Sequence, residues 1–143
     1  MKEIKTWKKV FESDLKYLAD EVKSEVEIPS VIFLEGTLGA GKTSFVQASF
    51  RDKIMVSPTY SILTEVLDVL HGDLYRIESE EELIHLEIED YLENKDYVFL
   101  EWGHKYLGFI DKIIPENFKF YLLKIDSEKS NFRNYDLFEL QRD

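Results

Sequence analysis

The sequence has no cysteine, only three prolines and six glycines in 143 residues, and no long apolar run. Without cysteine there is neither a disulfide scaffold nor a thiolate metal site. No apolar stretch approaches the roughly 20 residues of a membrane span. The segment from Met1 to Asp14 lacks the apolar core of a secretory signal. We therefore expect one globular domain over residues 1–143, located in the cytoplasm and without membrane contact.

Basic residues are also scarce, since 18 Lys and Arg face 29 Asp and Glu, which leaves a net charge of −11. This charge repels the phosphates of nucleic acids, so we do not expect the chain alone to bind RNA or DNA tightly. The densest basic group comprises Lys2, Lys5, Lys8 and Lys9 and is typical of a solvated face. The 44% content of hydrophobic residues is sufficient for a core of ordinary size.

The most informative stretch is GTLGAGKT, Gly36 to Thr43, which matches the P-loop (Walker A) pattern at each fixed position. Glycines let the backbone turn its N–H groups onto phosphate oxygens, the following helix adds its dipole, and Lys42 adds a positive charge. An apolar run at Val31 to Leu34 precedes the loop, and a helical pattern over 43–50 follows it. A chance glycine-rich turn is disfavoured by this order. We therefore predict a nucleotide site in which Thr43 ligates Mg²⁺.

Two acids end apolar stretches and compete for the metal or for water activation. Asp73 follows a predicted strand within Leu67 to Arg76, and Glu101 ends the buried-strand run that begins at Tyr97. An acid at a strand end near a P-loop can hold the metal that bridges the phosphates. The pattern does not divide the two roles. A lone His71 is more typical of a structural contact beside the site than of a ligand.

A hydroxyl-rich segment, Val56 to Tyr60, interrupts the apolar pattern after the P-loop helix. Nucleotide switches place a threonine that senses the γ-phosphate and Mg²⁺ in such a loop, which makes Thr59 a candidate catalytic residue. An ordinary Ser-Pro-Thr turn is the alternative. A strand resumes from Tyr60 to Val66.

The remaining pattern predicts scaffold elements. The first are an edge strand from Lys2 to Trp7 and a helix that is capped by Ser13 and has one apolar face, made of Leu15, Leu18, Ala19 and Val22. An acidic helix is opened by a Ser79–Glu82 capping box and runs through Leu86. Two antiparallel strands follow, Phe118 to Ile125 and Tyr135 to Leu140. The acidic helix is interpreted as a solvated face, or as a surface for a basic partner.

Four segments in order, GTLGAGKT, SPTY at Ser57 to Tyr60, HGDLYR at His71 to Arg76 and LEW at Leu100 to Trp102, resemble the signature of the bacterial TsaE (YjeE) family. That family is the small ATPase of tRNA threonylcarbamoyladenosine synthesis. The resemblance spans the chain. It implies an α/β fold, a P-loop NTPase three-layer sandwich whose central sheet is mainly parallel with antiparallel strands added.

The resemblance also implies a hydrolase that uses ATP and Mg²⁺ and acts with TsaD and TsaB, with tRNA contacted only through the complex. Its implied nucleotide-binding residues are Gly36, Thr37, Leu38, Gly39, Ala40, Gly41, Lys42, Thr43, Ser44 and Trp102. Its implied metal and catalytic residues are Thr43, Thr59, Asp73 as a Walker-B-like acid, and Glu101. ATP is the default nucleotide because no guanine-reading Asn-Lys-x-Asp segment is present.

Two departures accompany the resemblance. Glu87 stands where the family usually has glycine, and Gly103-His104 follows the Glu-Trp pair where Pro or Ala and then an acid are frequent. No obvious arginine finger is present apart from Arg76, which predicts weak activity without partners. The alternatives are a small P-loop metabolite kinase, which would need more lid arginines than Arg51 and Arg76, and a nucleotide-gated binding protein without useful hydrolysis.

Overall fold

The structure is a computed structural model that describes residues 1–37, 39–50, 62–129 and 131–142. Its strands are β1 (Lys2–Val10), β2 (Ser30–Glu35), β3 (Leu63–Val66), β4 (Val69–Asp73), β5 (Tyr97–Glu101), β6 (Lys119–Lys129) and β7 (Phe132–Leu140). Its α-helices are α1 (Leu15–Glu25), α2 (Lys42–Ser49), α3 (Glu80–His85) and α4 (Leu107–Ile113). Short 3-10 helices cover Glu12–Asp14, Ile88–Tyr91 and His104–Tyr106.

The strands form one sheet of seven in the order β1-β7-β6-β2-β5-β4-β3. The centre is parallel, because β2 pairs in parallel with both β5 and β6, and β5 pairs in parallel with β4. Antiparallel pairings add β7 and β1 at one edge and β3 at the other. The predicted α/β sheet, parallel at its centre with antiparallel strands added, is confirmed.

Both faces of the sheet are covered, which explains the continuous apolar sequence of β2. Ile32 and Leu34 join the core cluster that also contains α1 and α2, whereas Val31 and Phe33 join the cluster that contains residues of α3 and α4. All four side chains are buried. Helices on both sides of one sheet make the three layers that the sequence predicts. No helix among the described residues is long and apolar enough to span a membrane.

The first helix begins later than predicted. Ser13 lies in the 3-10 turn, and Asp14 is the N-cap residue of α1. The carboxylate of Asp14 accepts a hydrogen bond from the backbone N–H of Phe11 at 3.3 Å. The Asp14 side chain therefore closes the 3-10 turn and makes no capping hydrogen bond to α1. The predicted apolar face is confirmed, because Leu18, Ala19 and Val22 are buried.

The acidic helix has the predicted cap but a shorter body. The Ser79 hydroxyl accepts a hydrogen bond from the Glu82 N–H at 3.2 Å, while the Glu82 carboxylate accepts from Glu78 instead of completing a capping box with Ser79. The helix ends at His85, and Glu87 has φ of 52° and ψ of 49° in the left-handed region. A helix cannot continue through that conformation.

Two pairs of strands differ in length from the prediction. β4 ends at Asp73, and the turn before it has Leu67 at a positive φ of 51°. β6 and β7 extend beyond their apolar parts as far as the pair Lys129 and Phe132, because the backbone ladder does not depend on apolar side chains. The long hairpin carries Arg133 towards the P-loop.

Candidate functional site

The topology brings the candidate acids together. The carboxyl ends of parallel strands lie at the same edge of a sheet, where α/β proteins bind ligands. Asp73 at the end of β4 is the register partner of Glu101 at the end of β5, and Glu101 is also the partner of Leu34 near the end of β2. The P-loop follows directly from β2, so the loop and both acids share one edge.

The P-loop conformation depends on glycine at two positions. A Cβ on Gly36 would lie 2.8 Å from the Ile125 carbonyl oxygen and 3.0 Å from Ala40 Cβ, so the loop passes too close to β6 for a side chain. Gly41 is the N-cap of α2 and has φ of 103°, which an L side chain rarely adopts. α2 therefore points its free N–H groups into the loop.

Lys42 is almost fully buried, with 4% of its surface exposed, and its side chain is held over the loop. Its ammonium donates hydrogen bonds to the carbonyl oxygens of Gly36 at 2.7 Å and Thr37 at 3.0 Å, and it lies 4.1 Å from the centroid of the Trp102 ring. Burial lowers the pKa of Lys42, while the negative charges of Glu101 and Asp73 act in the opposite direction. The cation is therefore partly desolvated and suited to an anionic ligand.

Glu101 is the best-positioned acid of the site, with 3% of its surface exposed. The Thr43 hydroxyl lies 3.0 Å from both carboxylate oxygens and donates to this carboxylate. The Nε2 atom of His71 lies 2.5 Å from Oε2, which the Thr43 hydroxyl also contacts. His71 contacts the acid but does not line the cavity, in agreement with its predicted place beside the site, and the two predicted metal ligands Thr43 and Glu101 are in direct contact.

Asp73 lines the same cavity but is held less firmly. Asp73 is exposed, and its Oδ1 atom accepts a hydrogen bond from the Tyr75 N–H at 3.2 Å. The negative charges of both acids act on Lys42. The sequence leaves open how the metal-binding and water-activating roles are divided between the two acids. Glu101 is the stronger candidate for them because it contacts Thr43, and Asp73 is the second candidate.

Aromatic residues form one wall of the cavity, whose volume is about 290 Å³. The Trp102 and Tyr75 rings lie 5.1 Å apart, and Trp102 has a positive φ of 62° directly after β5. This backbone turn places the indole over Lys42. Trp102 is a predicted site residue, whereas Tyr75 carries no role in the sequence reasoning although it lies within the HGDLYR segment.

The remaining predicted residues are distributed as follows. Gly39, Gly41, Lys42, Thr43 and Ser44 line the cavity, while Gly36, Thr37 and Ala40 shape the loop, in which the Ala40 N–H donates to the Thr37 carbonyl at 2.9 Å. Arg76 is exposed and does not line the cavity. Leu38 and Thr59 lie outside the described residues. The described residues contain no preformed group of three metal-binding side chains.

Arg133, at the start of β7, is a cavity residue that sequence reasoning missed. Its side chain covers Gly41, although the two residues are 92 positions apart in the sequence. No local motif signals this contact, because it depends on how far the β6–β7 hairpin extends. A larger cavity, of about 440 Å³, lies near the amino end of β6. Its lining includes Glu116, Glu139, Lys119 and Arg142 but no residue of the P-loop.

Known proteins resemble the chain throughout. The family model described as "Threonylcarbamoyl adenosine biosynthesis protein TsaE" matches residues 11–135. Among proteins named tRNA threonylcarbamoyladenosine biosynthesis protein TsaE, that of Bacillus subtilis is 34% identical over 112 residues, covering 73% of this chain and 69% of the relative. That of Haemophilus influenzae is 32% identical, covering 66% and 63%. That of Rickettsia felis is 32% identical, covering 64% and 58%, so the match spans less than two thirds of these last two relatives.

A solved structure supports the fold. The crystal structure of Bacillus subtilis YdiB superimposes with a TM-score of 0.66 and 22% identity, covering 98% of this chain and 87% of that one. At this identity the likeness concerns the fold alone. It agrees with a seven-stranded α/β sheet that carries helices on both faces.

Proposed function

Because the chain belongs to the TsaE family of threonylcarbamoyl adenosine biosynthesis proteins, we propose that it is the ATP-binding and ATP-hydrolysing component of the machinery that makes threonylcarbamoyladenosine beside the tRNA anticodon. The observation that carries this proposal is the meeting of Lys42, Thr43 and Glu101 in one cavity at the start of α2. A phosphate cradle, a hydroxyl and a buried acid are the parts of a P-loop hydrolase site.

Nucleotide binding follows from charge and backbone. The N–H groups at the start of α2 and the ammonium of Lys42 face a cavity in which an anion offsets the cost of burying the cation. The oxygen donors Thr43, Glu101 and Asp73 match the preference of Mg²⁺ for hard ligands, and two or three of them suffice because phosphates and water complete its shell. When bound, Mg²⁺ neutralises charge on the transferred phosphoryl group.

Hydrolysis requires an oriented water molecule, and a carboxylate can orient it and accept its proton. Glu101 has two oxygens and is held by two donors, the Thr43 hydroxyl and His71 Nε2. Each carboxylate oxygen has two lone pairs, so Oε1 can accept a hydrogen bond from water while Thr43 and His71 hold the carboxylate. Glu101 then orients the attacking water and accepts its proton.

Partner dependence is the second part of the proposal. Within the described part of the chain, Arg133 is the arginine that lines the cavity, and its contact is with the loop glycine Gly41 rather than with the acids. We expect slow hydrolysis by the protein alone and stimulation by TsaD and TsaB, which would supply the transition-state contact that Arg133 does not make. The net charge of −11 favours contact with tRNA through these partners.

The deciding experiment measures phosphate release by the protein alone and with TsaB and TsaD, while threonylcarbamoyl incorporation into tRNA is followed over several turnovers. We expect a low basal rate that the pair raises, and modification that continues past one round. Lys42→Ala should abolish both, whereas Lys119→Ala removes the same charge from the amino end of β6 and should leave them unchanged. Absence of stimulation, or full turnover in Lys42→Ala, contradicts the proposal.

A second candidate function is nucleotide-gated docking without useful hydrolysis. It is favoured by the state of Glu101, whose two oxygens are both engaged by protein donors. Under this alternative ATP binding alone changes the surface offered to partners. Glu101→Ala distinguishes the two functions, because a pure gate would still bind TsaB and TsaD and support repeated modification, whereas a hydrolase would stop after the first round.

A further inference from the structure

The side chain of Arg133 packs against the backbone of the P-loop. An ideal Cβ on Gly41 would lie 2.8 Å from Arg133 Nε and 3.2 Å from its Cδ and Cζ, so the side chain rests against the loop backbone. The residue also pairs with Val10 in the antiparallel ladder between β1 and β7. The hairpin therefore delivers a guanidinium to the nucleotide cavity from the edge of the sheet.

The guanidinium also has unused hydrogen-bonding capacity. Its Nε atom is buried and has no hydrogen-bond partner within the described residues. A buried donor without an acceptor is unfavourable, and so is a second cation in the cavity that already contains Lys42. An anionic ligand removes both costs. Arg is the side chain best suited to phosphate, because its planar fork donates two parallel hydrogen bonds.

We propose that Arg133 is a phosphate ligand of the nucleotide site and contacts the α- and β-phosphates from the side of the β6–β7 hairpin. This inference rests on the proposed function. The choice of phosphates follows from position, because Arg133 lies on the loop at Gly41, where P-loop N–H groups hold the α- and β-phosphates. Lys42 instead extends to Trp102 on the side of the two acids.

The proposed contact has a kinetic consequence. ATP and ADP share the α- and β-phosphates, so the guanidinium binds both nucleotides in the ground state. Loss of the contact therefore weakens the binding of both nucleotides, and it slows the chemical step only as far as the β-phosphate, which belongs to the leaving group, gains charge in the transition state. An arginine that acted on the γ-phosphate would give the opposite pattern, since its loss would lower kcat.

The experiment compares Arg133→Met, which keeps the apolar stem, with Arg133→Lys, which keeps the charge. Lys119→Met is the control for loss of one charge at the amino end of β6. Dissociation constants for ATP, ADP and tripolyphosphate are measured by titration calorimetry with Mg²⁺. Arg133→Met should weaken all three by about 10- to 100-fold, Arg133→Lys should weaken them less, and any fall in kcat at saturation should be smaller than the fall in affinity. Thermal unfolding without ligand verifies that each variant folds, and Arg133→Gln replaces Arg133→Met if that variant does not.

Other outcomes overturn the proposal. Unchanged binding by Arg133→Met would mean that the side chain only covers Gly41. Weaker binding of ATP and ADP with unchanged binding of tripolyphosphate would move the contact to the nucleoside, and a lower kcat with unchanged affinity would move it to the γ-phosphate. Lys42→Ala separates this inference from the proposed function. If that variant loses ATP while Arg133→Met retains it, the inference alone fails, and if the unmodified protein binds no nucleotide, both fail.

Discussion

Gly36 offers a sharp test of how closely the P-loop packs on the sheet. In Gly36→Ala the new methyl group would lie 2.8 Å from the Ile125 carbonyl oxygen and 3.0 Å from Ala40 Cβ. Neither neighbour is the end of a flexible side chain, so the loop or β6 must move by a few tenths of an ångström. Overpacking of this kind costs about 1–3 kcal/mol, and the stiffer unfolded chain returns about 0.4–1 kcal/mol. We expect a net loss of about 1–2 kcal/mol in the free energy of unfolding.

The same displacement should reach the ligand site, because the Gly36 carbonyl accepts a hydrogen bond from Lys42 at 2.7 Å. Urea unfolding measures the stability, and titration calorimetry measures the affinity for ATP, which should fall along with it. Gly108→Ala in α4 is the matched control. Among the described residues beyond its chain neighbours and its own helix backbone, no atom lies within 4 Å of the new methyl group, so Gly108→Ala should stabilise the helix by about 0.5–1 kcal/mol. A Gly36→Ala protein with unchanged stability and affinity would refute the close packing.

Three further results are expected. Glu87→Gly should stabilise the fold by about 0.5–1 kcal/mol in urea unfolding, because Glu87 is held at φ of 52°, and equal or lower stability would contradict this. His71→Gln should lower kcat by about tenfold with little change in ATP affinity, because it loosens Glu101, and an unchanged kcat would remove His71 from the site. Burial lowers the pKa of Lys42 and bound phosphate raises it, so ATP binding in alkaline solution below pH 10.5 should take up protons. Titration calorimetry in buffers of different ionisation enthalpy measures this uptake, and a binding enthalpy that is the same in all of them would contradict it.

The elements that the sequence predicts correctly are those whose signals are local. The P-loop carries its turn residues, its strand and its helix within about 20 positions of the chain, and the apolar run of β5 ends at Glu101 as expected. Ser13 fails as a cap because a 3-10 turn over Glu12–Asp14 precedes α1, so the N-cap position falls on Asp14, whose side chain closes that turn. Two adjacent capping residues give nearly the same pattern, and the choice depends on the turn before the helix.

Convergence of distant segments is what the sequence could not predict. Arg133 and Tyr75 reach the cavity only through the register of the β6–β7 hairpin and the turn after β4. Register is specified by pairing across the sheet, which no single segment encodes. His71 is an intermediate case, because its strand was predicted, but its 2.5 Å contact with Glu101 required the parallel pairing of β4 and β5.

The contact between Thr43 and Glu101 joins two groups on which the proposed function depends. The Thr43 hydroxyl donates its hydrogen to a carboxylate that is 3% exposed, while its oxygen keeps lone pairs that can ligate Mg²⁺ and the carboxylate keeps positions that can accept from water. A hydrogen bond to a charged group contributes about 1.5–3 kcal/mol, so Thr43 and Glu101 hold each other in place for the nucleotide. Thr43→Val removes this hydrogen bond and the proposed metal ligand together. Thr43→Ser keeps both and should hydrolyse ATP, and loss of activity in Thr43→Ser would show that the methyl group, not the hydroxyl, is what the site requires.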